Sequence, residues 1–443
     1  MTENANLAGG GTHVDTGELA TAIGSAEQNQ LEGPLLLREP ADGTPEPVTT
    51  AAELAAVIAG IGAASGPLAV DAERASGYRY SQRAYLVQLR REGFGTVLID
   101  PIALPDLREL NDALGDTEWI LHAASQDLAC LAEVGLHPKR LFDTELAGRL
   151  LGSERVALGT MVEQHLGVRL EKGHSAADWS TRPLPHDWLV YAALDVELLI
   201  PLRAALLARL REAGKLDWAE QEFEAARLAP APPPRVDPWR RTSGIHGIRN
   251  RRQLAAVRAL WYSRDELATR RDIAPGRLLP DAAIIDAARR NPADQSELAR
   301  LSIFAGPRQR RDGPRWFAAL EEARALAEDE LPPVTSIALD AIPPAARWRE
   351  RAPEAAVRLT ACREVVAALA ETHQVLAQNL MPADIVRRFA WQSPPPATES
   401  SVAAELTALG ARRWQTALVA PPLAVALAAA TAPDVAADDR IQR

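Results

Sequence analysis

Lysine is almost missing from this chain of 443 residues: Lys139, Lys172 and Lys215 are the only three, and arginine supplies every other basic side chain. Together with a surplus of alanine and proline, that bias reads as the coding habit of a GC-rich genome and carries no functional information. Cysteine is nearly as scarce. Two residues set far apart, Cys130 and Cys362, exclude a disulfide framework and a cysteine zinc site, and they fit a reducing cytoplasm. A cationic start followed by an apolar stretch is also absent, so no secretory signal is expected. The longest apolar run, residues 417–431, is interrupted by Pro421 and Pro422 and is too short for a bilayer span. It is expected to be a packed terminal helix, and no membrane partner is expected.

What is present is the composition of a soluble globular protein, 47% apolar and 24% charged. The length calls for more than one core. Residues 1–45 have few aromatics and no sustained period and are expected to be a disordered tail, with order beginning near Pro47. In residues 49–61, Thr49 or Thr50 followed by Glu53 predicts a capped helix. The runs L-A-V-D-A-E-R at 68–74, Y-L-V-Q-L-R at 85–90 and T-V-L-I-D at 96–100 predict a three-stranded antiparallel meander. Strands W-I-L-H at 119–122 and L-F-D at 141–143 then alternate with helices near 105–115 and 126–134. A helix at 157–166 and one long helix over 186–213, closed by Gly214, follow. The pattern is that of a mixed sheet covered by helices, an α/β unit over 46–228.

At 229–240 a proline-rich stretch containing A-P-A-P-P-P-R-V-D-P marks a linker, and the half that ends near residue 230 is expected to stand alone. Beyond it the chain reads as helical in two segments, 241–330 and 345–435. Residues 231–316 hold 18 Arg and no Lys against nine acids, in a chain whose net charge is −10. That local surplus is the electrostatic footprint of a nucleic-acid partner. The two helical segments also echo each other, each with an apolar helix, a Leu-x-Pro turn and a second helix, around 254–289 and 359–390.

The chemistry centres on 68–74. Asp71 and Glu73 lie two apart on a strand and so share a face, where two carboxylates resist joint ionisation unless a cation sits between them. Alone, D-x-E is common on solvated strands. Asp127 falls near a helix start, which is ordinarily a dipole partner. Tyr191 and Asp195 lie four apart on one helical face, where a lone tyrosine is ordinarily core.

Joined in this order, these residues resemble the three motifs of the DEDD exonucleases, and the tyrosine in the last motif points to the DEDDy branch. The stretches A-V-D-A-E-R, Y-L-V-Q-L, L-H-A-A-S-Q-D-L-A-C-L, L-F-D-T-E-L-A, D-W-S-T-R-P-L and Y-A-A-L-D-V-E-L-L-I-P-L together resemble ribonuclease D over about 47–215. Segment 241–330 resembles an HRDC domain, and 345–435 the more divergent HRDC-like domain of the same family. The resemblance implies a ribonuclease H-like α/β exonuclease domain followed by two all-α HRDC-type domains. It implies metal-dependent removal of nucleoside 5′-monophosphates from RNA 3′ ends, with tRNA precursors or other structured RNA as substrate and no obligate protein partner.

By motif, Asp71, Glu73, Asp127 and Asp195 would hold two Mg²⁺ or Mn²⁺ ions, and Tyr191 would orient the attacking water, its phenol being too weak a base at neutral pH. Lys172 and Arg182 are candidate phosphate contacts. His122 is expected to hydrogen-bond at its strand end, and Trp179 and Trp188 to pack. Arg249, Arg251, Arg252, Arg270 and Arg271 are candidate backbone contacts in the helical module. A 3′–5′ DNA exonuclease and a non-catalytic RNA-binding protein are the alternatives; intact Asp71, Glu73, Asp127, Tyr191 and Asp195 argue against the second.

Overall fold

The computed structural model describes residues 34–171, 173–174, 176–335, 342–392 and 398–431. Strands β1 (Leu35–Leu37), β2 (Leu68–Arg74), β3 (Ala84–Arg91), β4 (Gly95–Ile99), β5 (Glu118–Leu121), β6 (Arg140–Asp143) and β7 (Val168–Leu170) form two sheets. The larger has the order β4-β3-β2-β5-β6, antiparallel across β4-β3-β2 and parallel across β2-β5-β6. The expected meander and mixed sheet are therefore present, with β2 in the centre. A central strand is covered on both faces, and β2 opens on three fully buried residues, Leu68, Ala69 and Val70.

The period of two divides its side chains. Val70 and Ala72, with Val87 and Leu89 of β3, pack into the large core that also holds Leu54, Val57 and Ile61 of helix α1 (Ala51–Ala63). Thr50 caps α1, and Glu53 closes the reciprocal box. On the other face Leu86 and Leu98 pack with Trp179, Leu189, Ala192 and Ala193. Helices α2 (Arg108–Leu114), α3 (Leu128–Glu133), α4 (Thr144–Leu150) and α5 (Leu158–Leu166) follow, then α6 (His186–Glu197), α7 (Leu199–Glu212) and α8 (Leu216–Arg227). Helix α6 lies across β2, β3 and β4, and α7 packs on β2 and β5.

Two expectations are corrected here. The single helix over 186–213 is two helices that meet at Leu198 (φ −105°, ψ 5°). Pro201 explains the break: it has no N–H to give to Glu197, and its ring would strike that carbonyl in a continuous helix. The tail expected to be disordered to residue 45 is ordered from 34 onward in the described residues; residues 1–33 lie outside them. β1 pairs in parallel with β7, and Val48 bridges the edge of β4. Arg90 binds Asp42 and Glu197 at 3.0 Å each and ties this segment to α6. Every one of these partners is distant in sequence, so local composition carried no sign of them.

After the exposed spacer, α9 (Arg251–Arg271), α10 (Pro275–Leu278), α11 (Asp281–Arg290), α12 (Gln295–Arg300), α13 (Pro307–Arg311) and α14 (Gly313–Ala325) enclose a second core around Trp239, Phe304 and Trp316. A third group comprises α15 (Trp348–Arg351), α16 (Pro353–Thr372), α17 (Ala377–Leu380), α18 (Ala383–Gln392), α19 (Glu399–Ala408) and α20 (Arg413–Thr431). The echo noted in sequence is geometric as well. Leu279 before Pro280 has φ −148°, ψ 107°, and Met381 before Pro382 has φ −147°, ψ 118°. The extended backbone before each proline turns the chain into the next helix.

The third group shares one continuous core with the α/β part. Trp414 stacks on Trp218 of α8 at 4.6 Å, and its indole N–H donates to Glu222 at 2.8 Å. Cutting near residue 230 would uncover this apolar face, so a catalytic half that stands alone is not what the packing supports. The second core docks on the loop that follows β2. Tyr80 donates to Asp265 at 3.2 Å, the Ser81 N–H donates to Asp272 at 2.8 Å, and Arg277 lies 3.9 Å over the Tyr78 ring.

Asp272→Ala would leave the Ser81 N–H unpaired at this interface and is expected to cost about 1–2 kcal/mol. Faster limited proteolysis in the exposed 229–236 spacer is the expected readout; an unchanged cleavage rate would show that Asp272 does not hold the module in place.

Candidate active site

The face of β2 that turns toward α6 carries Asp71 and Glu73. Opposite Asp71 on β3 stands Gln88, and opposite Gln88 on β4 stands Leu98. From α6, Asp195 is brought down onto the same face. Ligand oxygens of Asp71, Glu73 and Asp195 all lie within 4.8 Å of one another. One turn earlier on α6, Tyr191 lies on the same helical face beside Asp195. The two share a groove of about 790 Å³ with Leu158, Thr160, Arg169 and Glu171.

Asp127 arrives by another route. It stands outside the 4.8 Å group, with Oδ1 3.5 Å from Nη2 of Arg74. It precedes α3 on a tight turn in which Ala123 is left-handed (φ 58°, ψ 51°), a conformation that a residue with a Cβ adopts at a cost. The sequence reasoning missed the group that offsets this cost. Asp143, 1% exposed at the end of β6, accepts from the backbone N–H groups of Ala123 at 3.1 Å, Ala124 at 2.8 Å and Glu145 at 2.8 Å. Its place in L-F-D-T-E-L-A was the available signal, but it reads there as a helix cap, which it also is. His122, in the same region, meets Thr144 Oγ1 at 2.9 Å, and burial lowers its pKa to about 4, so it is a neutral structural group.

The electrostatics of the cluster follow from crowding and burial. Desolvation pushes the Asp71 carboxyl up to about 6. Desolvation and then the charge of Asp71 push Asp127 up to about 8. Glu73 rises to about 10, through burial first and then Asp71, Asp195 and Asp127. Burial and Asp71 raise Asp195 well above the carboxylate range. Burial, Asp195 and Glu73 hold the Tyr191 phenol protonated. Four acids that cannot ionise together are a poor surface but a good cation trap.

An all-oxygen donor set of this size suits Mg²⁺ or Mn²⁺. The fit is supported by Gln88, whose fully buried amide has no hydrogen-bond partner among the described residues although it stands beside Asp71. A polar group left open in this way belongs to a site that is completed by something else.

The basic residues fare differently. Lys172 lies outside the described residues. Arg182 was a candidate phosphate contact, but its donors are taken by the protein: Asp100 at 2.7 and 2.9 Å, the Tyr85 carbonyl at 2.7 Å and the Trp179 carbonyl at 2.8 Å. Arg251 binds the carbonyls of Leu331 and Glu328 at 2.6 and 2.9 Å, and Arg252 the Leu326 carbonyl at 2.8 Å and the Glu328 carboxylate at 2.6 Å. Arg271 forms a fork with Asp312 at 2.7 and 2.8 Å. Planar guanidinium forks satisfy carbonyls and carboxylates as readily as phosphates. Arg249 and Arg270 are exposed, without an ion-pair partner among the described residues. Trp179 is fully buried and Trp188 packs on it at 5.5 Å, as expected of core residues.

Residues 45–211 match the 3′–5′ exonuclease family, 253–320 the HRDC domain, and 341–427 the 3′ to 5′ exonuclease C-terminal domain. Ribonuclease D of Zymomonas mobilis is 35% identical over 294 residues, 64% of this chain and 74% of its own. A crystal structure of a protein from Bifidobacterium adolescentis matches with a TM-score of 0.81 and 38% identity, over 89% of this chain and 100% of that one. The crystal structure of Escherichia coli RNase D, described as an exoribonuclease involved in structured RNA processing, matches with a TM-score of 0.62 and 27% identity, over 87% and 98% of the two chains.

Two outcomes are expected. Arg182→Ala leaves the Asp100 carboxylate, 9% exposed, without its partner; denaturant unfolding should show a loss of about 3 kcal/mol. The second concerns pH. The raised carboxyls hold more protons folded than unfolded, so their contribution to stability is full below pH ~4 and is lost as pH rises. The loss runs through about 6 for Asp71 and about 8 for Asp127. In chelator the melting temperature should therefore fall between about pH 5 and about pH 8.5, and Mg²⁺ should remove most of that fall. A profile that is the same with and without Mg²⁺ would contradict the cation trap.

Proposed function

The chain belongs to the ribonuclease D family and is a 3′–5′ exoribonuclease, and from that premise we propose that it trims the 3′ ends of structured RNA, tRNA precursors first among them, releasing nucleoside 5′-monophosphates. The observation that carries the mechanism is the meeting of Asp71, Glu73 and Asp195 within 4.8 Å, with Tyr191 and Asp195 lining one groove. Asp71, Glu73, Asp127 and Asp195 would hold two divalent cations, Mg²⁺ or Mn²⁺. When bound, such a pair supplies activation of a water on one side of the phosphodiester and stabilisation of the leaving 3′-oxygen on the other.

The chain's own residues set the geometry. Tyr191 keeps its proton and lines the groove beside Asp195, where its hydroxyl can orient the attacking water. Asp143 holds the turn that delivers Asp127. The groove leads from Asp195 past Arg169 and Glu171, and the 3′ strand enters along it.

In the division of labour we propose, 46–228 is catalytic, 241–330 is the HRDC domain and 345–435 is the second helical domain, of which 393–397 and 432–435 lie outside the described residues; the linker expected over 229–240 is shortened to the exposed 229–236, because Trp239 is fully buried in the second core. Arg249 and Arg270 are the two of the named helical-module arginines left to meet RNA phosphates. Cytoplasmic residence fits the scarcity of cysteine, and among the described residues no helix is long and apolar enough to cross a membrane. Phosphate contacts of this kind give affinity that falls with salt.

Asp127→Asn is expected to reduce hydrolysis to background and leave RNA binding within about twofold, because the lost charge sits at the reaction centre. Tyr191→Phe should lower kcat about 10²-fold with little change in KM. Single-turnover assays on matched RNA and DNA strands measure both and decide the sugar preference; wild-type turnover by Asp127→Asn would remove this residue from the site.

A further inference from the structure

Arg74 is a cation in a place built for cations of another kind. In an unbroken strand it would face away from Glu73. The β2-β3 ladder is broken at that step: Glu73 pairs with Leu86 and Arg74 with Ala84, leaving Tyr85 as an extra residue on β3. A bulge of this type bends the strand that carries the extra residue, here β3, where its ladder with β2 ends at Arg74. The bulge is held from both sides. Arg182 donates to the Tyr85 carbonyl at 2.7 Å, and the Tyr85 hydroxyl meets Asp272 at 3.4 Å. Past it, the Arg74 guanidinium comes to 3.5 Å from Asp127, with 25% of the side chain exposed. Its charge also bears on Asp71 and Glu73.

We infer that Arg74 is the internal counter-cation of the acid cluster: it occupies Asp127 in the ion-free protein, gives way there to a divalent cation, and so sets how tightly the position served by Asp127 binds metal. This rests on the two-ion mechanism proposed above. A guanidinium 3.5 Å from a ligand oxygen repels an incoming dication and also relieves the repulsion among the acids that would otherwise draw one in. Both effects weaken metal binding. A purely orienting role, in which Arg74 holds Asp127 in a ligating rotamer, has the opposite sign, since loss of the arginine would then loosen the site.

Titration of the full chain with Mn²⁺, without RNA, separates the two through the paramagnetic resonance signal of free Mn²⁺. For Arg74→Gln the weaker of the two sites should tighten about 10-fold, and Arg74→Lys should stay within about threefold of wild type because the charge is kept. In chelator Arg74→Gln should melt below wild type, with a larger rise on adding Mn²⁺. The double variant Arg74→Gln, Asp127→Asn removes both charges of the pair, and there the loss of Arg74 should tighten Mn²⁺ binding less than it does in the wild-type background, which keeps the test open if the single variant folds poorly. Equal or weaker Mn²⁺ binding by folded Arg74→Gln overturns the inference, as does a tightening that is undiminished beside Asp127→Asn. Absence of Mn²⁺ binding by the wild-type chain would instead overturn the two-ion mechanism, and that result is read without any variant.

Discussion

Four carboxylates crowded into a desolvated corner oppose their own assembly, and much of the surrounding structure makes sense as what holds them there. Each acid that is buried beside another loses hydration and meets like charge, so its proton is retained far above the ordinary carboxylate range. Folding energy must come from elsewhere. It comes from the central position of β2, sealed by apolar side chains on both faces, and from α6, whose Leu189, Ala192 and Ala193 pack down while Asp195 and Tyr191 project from the same helix. Local strain stored in this way is characteristic of a functional site. The left-handed Ala123 and its clasp by Asp143 are a second instance in the same few residues.

Arginine does the holding as well as any reading of RNA. With lysine so scarce, most cationic groups here are planar forks, and a fork binds a carbonyl or a carboxylate in a fixed plane. Arg91, 7% exposed, joins the Ile61 and Gly66 carbonyls and Thr117. Arg264 joins the Leu279 carbonyl and Asp281. Arg182 pins the β3 bulge at Tyr85, opposite the end of β2 that carries Arg74. The surplus of arginine in the helical module is thus partly structural, and counting charge overstates the surface left for phosphates.

The three helical and α/β parts are not beads on a string. One helical module leans on the loop directly after the catalytic strand, through Tyr80 and Asp272. The other shares the core behind the sheet, through Trp218 and Trp414. Both modules are therefore tied to the α/β part by packed side chains and not by the chain connection alone.

Much of this was legible beforehand because it is local. A period of two over Leu68–Arg74 sorts Asp71 and Glu73 onto one face, a spacing of four does the same for Tyr191 and Asp195, and Thr50 with Glu53 caps a helix by contacts within four residues. The ordered segment at Leu35–Leu37, the bulge at Tyr85 and the partners of Arg182 were not legible, since each depends on atoms brought from far along the chain. The break at Leu198 is local as well, since Pro201 alone requires it. Residue type and spacing determined which acids and which phenol could act, because backbone geometry repeats at short range. Which acids meet, which arginines are already spoken for and where Arg74 points were decided only when strands and helices packed, because Coulomb and hydrogen-bond energies depend on distances through space that no short-range repeat encodes.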